Sequence, residues 1–237
     1  MKILALDSSG LVASVAIAED DTLIAEYTVN YKKTHSQTLL PMLHEIAEMI
    51  ELDLNSVDAI AIAGGPGSFT GLRIGSATAK GLGLALHKPL VSVPTVDALA
   101  YNLYGSDVYI CPIMDARRNQ VYTGIYRFAG ETFSVIEEQK PLAVEELAEK
   151  LNKLDAKVIL LGDGVPVYQK TLDQLLTVEH QYAPAHQNRQ RAASVAVLAQ
   201  QYVRAGKVET AAEHKPDYLR LSQAEREREE KTLQKEN

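Results

Sequence analysis

Val57-Asp-Ala-Ile-Ala-Ile-Ala-Gly-Gly-Pro-Gly-Ser-Phe-Thr-Gly-Leu-Arg-Ile-Gly75 holds a strand, a corner and the start of a helix. Val57–Ala63 alternates β-branched residues with alanine and predicts a buried strand; the glycines at 64, 65 and 67 predict a tight corner; the stretch from Gly71 to Leu86 predicts a helix. Glycine lets the backbone approach closely whatever it faces, and Ser68 or Thr70 can cap the helix. Free N–H groups of the first turn are able to hold an anion. The simpler reading, a plain strand-to-helix corner, stays open beside it. A Walker A loop is excluded because no lysine follows a glycine at the required spacing. The dinucleotide fingerprint fails as well, since Thr70 stands where its third glycine belongs.

Upstream, Lys2–Leu6, Val12–Ala18 and Leu23–Val29 predict three strands of a meander, with Asp7-Ser8-Ser9-Gly10 as the first turn. A helix follows over 36–52, in which Pro41 requires either a kink or a start near Leu40. Downstream, Leu90–Val93 is a short strand. The second half echoes the first: Ile110–Met114 precedes Asp115 and a strand resumes at Val121, just as Ile3–Leu6 precedes Asp7 and a strand resumes at Val12. A strand at Thr132–Glu138, a helix at Val144–Lys153, a strand at Val158–Leu161 and helices at Val167–Leu176 and Arg191–Ala205 complete it. Such a duplication predicts an α/β fold of the actin-like, Hsp70-type (ASKHA) class, two lobes each with a mixed sheet flanked by helices. The expected divisions are an N-terminal lobe at 1–103, a C-terminal lobe at 104–221, and a charged tail at 222–237 that reads as a solvated helix or as disordered.

The chain has 237 residues, 46% of them hydrophobic, which suffices for a sizeable core. Its net charge of −7 is the opposite of a nucleic-acid surface. Any RNA contact is therefore expected to come mainly from another chain. The single Cys111 excludes an internal disulfide and sits in an apolar run, as a small core residue does. No apolar run reaches membrane-span length and no signal peptide is visible, so a cytoplasmic location without membrane contact is expected.

Two helices carry more apolar surface than one supporting sheet requires. At about 100° per residue, the apolar side chains of 39–51 cover half the circumference, and in 71–86 the only charges, Arg73 and Lys80, share one narrow stripe. Gly71, Gly75 and Ala79 recur every fourth position and suit a close helix crossing. The expected partner interface is Leu40, Leu43, Ala47, Leu72, Gly75, Ser76, Ala79 and Gly83. Enclosure inside the chain itself explains the apolar surplus equally well.

Catalytic constellations are sparse. The six histidines, at 35, 44, 87, 180, 186 and 214, form no metal-ligand spacing, and His44-Glu45-Ile46-Ala47-Glu48 ends on glutamate where a metalloprotease needs histidine. Gly67-Ser68-Phe69-Thr70-Gly71 puts Phe69 in the nucleophile position of a hydrolase elbow. Asp7, Ser8, Ser9 and Ser68 are candidate nucleotide or anion contacts; the same Asp-Ser-Ser-Gly is also an ordinary hairpin turn. Asp115, Arg117 and Arg118 are able to pair with one another or with a partner. No cofactor or metal is called for.

Taken in order, the opening LALDSSG, His35-Ser36-Gln37 before Leu39-Leu40-Pro41, GPGSFTGLRIG at 65–75, Asp115-Ala116-Arg117 through Val121-Tyr122, and Pro216-Asp217-Tyr218-Leu219-Arg220 resemble the bacterial TsaB (YeaZ) family. The resemblance implies an actin-like, non-catalytic subunit of the machinery that makes threonylcarbamoyladenosine in tRNA. Its implied partners are the catalytic homologue TsaD, met through the N-terminal helices, the ATPase TsaE, and a second copy of itself; tRNA is contacted only indirectly. The catalytic paralogue's His-x-x-x-His metal pair falls here on Thr95 and Leu99, which cannot replace imidazole. A stand-alone ATPase or kinase, and more remotely a glycoprotease-like peptidase, are the alternatives.

Overall fold

The computed structural model describes residues 1–31 and 34–220; the charged tail expected at 222–237 lies outside them. Strands β1 (Lys2–Asp7), β2 (Val12–Glu19) and β3 (Thr22–Asn30) form an antiparallel meander, joined on the other side of β1 by parallel β4 (Ala59–Gly65) and β5 (Leu90–Pro94), in the order β3-β2-β1-β4-β5. Helices α1 (Leu39–Met49), α2 (Phe69–Leu86) and α3 (Thr95–Tyr101) follow β3, β4 and β5. The second half repeats this plan. β6 (Tyr109–Asp115), β7 (Gln120–Ala129), β8 (Thr132–Ala143), β9 (Val158–Leu161) and β10 (His180–Tyr182) pair in the order β8-β7-β6-β9-β10, with α4 (Val144–Asn152), α5 (Val165–Leu175) and α6 (Ala192–Arg204) at the matching points. This duplicated unit is the two-lobed actin-like architecture that the sequence echo predicts.

Side-chain alternation decides which face of the first sheet receives which helices. Leu4, Leu6, Val15, Ile17, Ile60 and Ile62 face outward onto α1 and α2, while Ala5, Ala16, Ala18, Ala59, Ala61 and Ala63 point the other way. The alanine face leaves room for α6 to lie close, through Ala192, Val195, Ala196 and Ala199. α3 in turn packs on β6 and β7 of the second sheet. Both third helices therefore sit in one core between the sheets, and the linear division expected at 103/104 is crossed by packing in both directions. α4 and α5 cover the outer face of the second sheet.

Three local findings refine the sequence reading. Pro41 sits at the third position of α1, before the first intrahelical donor, Met42 N to Thr38 O at 2.9 Å, so its missing N–H removes no helix bond. Residues 95–101 form a helix that no periodicity announces, because all seven are buried and no polar face exists to set a 3.6-residue rhythm. β8 continues to Ala143, past Glu138, with Pro141 opposite Tyr122; β8 is an edge strand, where proline is tolerated because one side has no neighbouring strand to receive a donor.

Candidate functional site

The two strand-turn-strand hairpins face each other across a cleft of about 870 Å³ between the sheets. In the first turn Asp7 is buried, and its Oδ1 accepts from Ser9 N at 2.9 Å and Ser9 Oγ at 2.7 Å. Burial pushes its carboxyl up to about 6, against the pull of the two Ser9 bonds and of nearby His35. Ser8 Oγ donates to Gly71 O at 2.9 Å. The glycine corner lies directly against this turn: Ser68 N donates to Ser9 O at 2.6 Å, and a Cβ on Gly67 or Gly71 would meet the carbonyl oxygens of Ser9 and Ser8 at 2.3 and 2.1 Å. Ser68 Oγ accepts from Gly71 N at 3.3 Å and caps α2.

These bonds engage the expected anion contacts within the chain. Ser8 and Ser9 donate their hydroxyls inside the chain, Ser68 Oγ accepts from the helix it caps, and Asp7 is a buried acid whose charged form burial disfavours. The Gly-rich corner exists so that two backbones can touch.

The second turn is built differently. Arg117, Arg118 and Asn119 all have left-handed backbones, with φ of 64°, 54° and 57°. Asn119 Nδ2 anchors the turn on Glu145 at 2.7 and 2.9 Å, and Arg117 ion-pairs with Asp115 at 3.6 Å. Asp115 N donates to Asp163 Oδ1, and burial raises the Asp163 carboxyl.

Residues 214–220 strap the two hairpins together. Lys80 Nζ donates to His214 O at 3.1 Å, Asp217 N to Gly64 O at 2.7 Å, and Arg220 Nη1 to Ala116 O at 2.8 Å. The Tyr218 ring packs 4.8 Å from Phe69, which also carries Arg73 at 4.0 Å over its face. Pro216–Arg220, a motif of no evident purpose in the sequence, is this strap.

The outer surface of α1 and α2 is a second candidate site. Leu43, Leu72, Gly75, Ser76, Ala79 and Gly83, all expected at a partner interface, are buried in the chain's own fold. A Cβ on Gly75 would lie 2.4 Å from Ser8 Oγ and 2.9 Å from Ile62; one on Gly83 would lie 2.9 Å from Leu90. The small-residue row lets α2 approach its own sheet, so those six belong to the core. Ala47 is half-buried, and Leu40 stays at the surface, 53% exposed. The face of α2 turned to solvent is Thr70, Arg73, Ala77, Gly81 and Leu84, the last 63% exposed, and α1 adds Met49 at 82%. The signal for that face was present: Arg73 marks it, with Ala77, Gly81 and Leu84 at spacings of three and four.

Positions Thr95 and Leu99 are internal. Thr95 Oγ1 accepts from Gly65 N at 3.1 Å and Leu99 is in the core. Cys111 is buried beside Thr123, and burial pushes its thiol up to about 12, out of the range of a nucleophile at neutral pH. Among the described residues no group of three or more His, Cys, Asp or Glu side chains is placed to hold a metal, and no helix is long and apolar enough to cross a membrane.

A family model described as TsaD: tRNA N6-adenosine threonylcarbamoyltransferase matches residues 22–228. The tRNA threonylcarbamoyladenosine biosynthesis protein TsaB of Bacillus subtilis (strain 168) is 34% identical over 95% of this chain and 96% of its own length. That of Escherichia coli (strain K12) is 31% identical over 69% of this chain and 72% of its own. The solved structure of YeaZ from Pseudomonas aeruginosa superposes with a TM-score of 0.79 at 27% identity, covering 92% of this chain and 99% of that one. With a matching fold, the ordered motifs and a relative aligned from end to end, the chain belongs to the TsaB (YeaZ) family, named for tRNA threonylcarbamoyladenosine biosynthesis.

Proposed function

We propose that this protein is a non-catalytic subunit of the tRNA threonylcarbamoyladenosine machinery, which activates a catalytic homologue of the TsaD type by pairing with it, together with the ATPase TsaE. The observation that carries this reading is the solvent face of α1 and α2. Leu40, Met49 and Leu84 are large apolar side chains at the surface, and Ala77 and Gly81 between them leave α2 nearly bare. A Cβ on Gly81 would meet nothing within 4 Å, so its own fold gives no reason for glycine there. A second helix pair approaching closely gives one. A homodimer through the same face is the form expected when the homologue is absent.

The rest of the molecule suits a scaffold. Its first hairpin is tied to α2 by internal bonds, Cys111 is buried, and Thr95 and Leu99 occupy the places where the paralogue is expected to bind metal. The negative charge leaves tRNA contact chiefly to the partner. The test is reconstitution. This chain, the TsaD-type homologue, the ATPase, tRNA and their small substrates are combined, and threonylcarbamoyladenosine is measured. Addition of this chain is expected to raise product formation strongly, and Leu84→Arg is expected to abolish both co-elution with the homologue and that rise. Equal modification with the chain left out would refute the reading.

A further inference from the structure

A hollow of about 420 Å³ opens where the last turn of α2 meets residues 208–213. α2 contributes Leu84 to it and the later segment contributes Val208, 63% and 45% exposed, with Pro89, Ala211 and Ala212 lining the rest of its apolar surface. Large apolar side chains left in water together, rather than singly, mark an interaction surface.

The walls are fixed before anything binds. His87 ends α2 in the left-handed conformation, φ 54°, and its N–H and that of Lys88 both return to Gly83 O. The 208–213 segment is pinned to β5 by Leu90 N to Glu209 O at 2.8 Å and Glu209 N to Leu90 O at 3.0 Å. Its two carboxylates are engaged within the chain. Glu209 Oε1 bonds His214 Nδ1 at 2.7 Å, and Glu213 Oε2 accepts from Thr210 N and Oγ1 at 2.9 and 2.8 Å. At Gly83 the chain's own packing is complete, since a Cβ there would lie 2.9 Å from Leu90 and 3.4 Å from Ala211.

Two features decide what fits. Leu84 belongs both to the hollow and to the solvent face of α2, so a helix pair laid along Ala77, Gly81 and Leu84 reaches its mouth. The hollow is also bordered by Lys88, whose ammonium has no hydrogen bond or ion pair among the described residues. A flat ring fills apolar space and offers the negative face of its π-system to a cation. An aliphatic side chain gains nothing from Lys88, and an acidic one brings a charge against Leu84 and Val208.

We infer that this hollow is the socket for an aromatic side chain of the TsaD-type homologue, an anchor at the C-terminal end of α2. The inference rests on the pairing reading and goes beyond it, because it assigns residues 208–213, outside the two helices, to the contact.

The test is calorimetry of the full chain with the TsaD-type homologue. Ala212→Trp, which supplies the chain's sole tryptophan, fills the socket from within, and Val208→Glu puts a charge in it. Each is expected to weaken binding about thirtyfold, the loss of one anchor residue, while the urea midpoint of the isolated chain stays close to the parent's. Indole at about 1 mM, as a free aromatic ring, is expected to shift the methyl NMR signals of Leu84 and Val208 in the isolated parent and not in Ala212→Trp. If Ala212→Trp does not fold, Val208→Glu and indole on the parent carry the test. Parent-like affinity in the folded variants, or no shift with indole, overturns the socket; if Gly81→Leu, outside the socket, still prevents binding, the pairing reading stands. No binding by the parent chain overturns both.

Discussion

Asp7→Asn is expected to make the protein's stability less dependent on pH, in a direction fixed by burial. Asp7 has ordinary neighbours for a turn aspartate, two donors from Ser9, yet burial outweighs them and moves its carboxyl from 3.8 to about 6. An acid whose folded value lies above its unfolded one binds its proton more tightly when folded. Its protonation therefore stabilises at low pH, and that stabilisation fades as pH rises from about 4 through about 6. The full shift corresponds to about 3 kcal/mol, of which about 2 kcal/mol falls between about pH 4.5 and about pH 7.5. Asparagine keeps an oxygen for Ser9 N and Oγ but cannot ionise. Urea unfolding of both proteins at the two pH values isolates the effect, because titrations elsewhere cancel in the difference. The variant is expected to gain about 2 kcal/mol on the parent between the lower and the higher pH. Parallel pH profiles would show that Asp7 is not the buried acid described, and would return it to the candidate ligands.

Gly75→Ala is expected to cost the isolated chain about 1–3 kcal/mol, because the new methyl meets Ser8 Oγ and Ile62 inside the fold; an unchanged urea midpoint would restore Gly75 to the surface. Gly81→Ala, a helix-interior position with open space, is expected to stabilise the chain by about 0.5–1 kcal/mol, read from the same transition. Gly81→Leu is expected to leave the monomer folded and to prevent its co-elution with the TsaD-type homologue; retained co-elution would remove Gly81 from the proposed contact.

The strands, most helices and the duplicated plan were legible because each rests on local chemistry. The short apolar runs in Lys2–Leu6 and Val57–Ala63, glycine at the corner and proline after α2 act within a few residues of themselves. α3 was not legible, since a wholly buried helix has no amphipathic rhythm to read. The partner face shows the limit most clearly. Sequence established that 71–86 needs cover over most of its circumference and that Gly71, Gly75 and Ala79 form a narrow side suited to close approach. Whether that side meets another molecule or the chain's own sheet depends on the position of the β1–β2 turn, some sixty residues away in sequence, as the Ser8–Gly71 bond shows. The tertiary structure gave the small side to Ser8 and Ile62 and left Ala77, Gly81 and Leu84 in water. The hollow at the end of α2 was hidden for the same reason: Val208 is an ordinary valine until the fold sets it in one groove with Leu84. Periodicity determines that a surface must be covered; only the packing of distant segments determines by what.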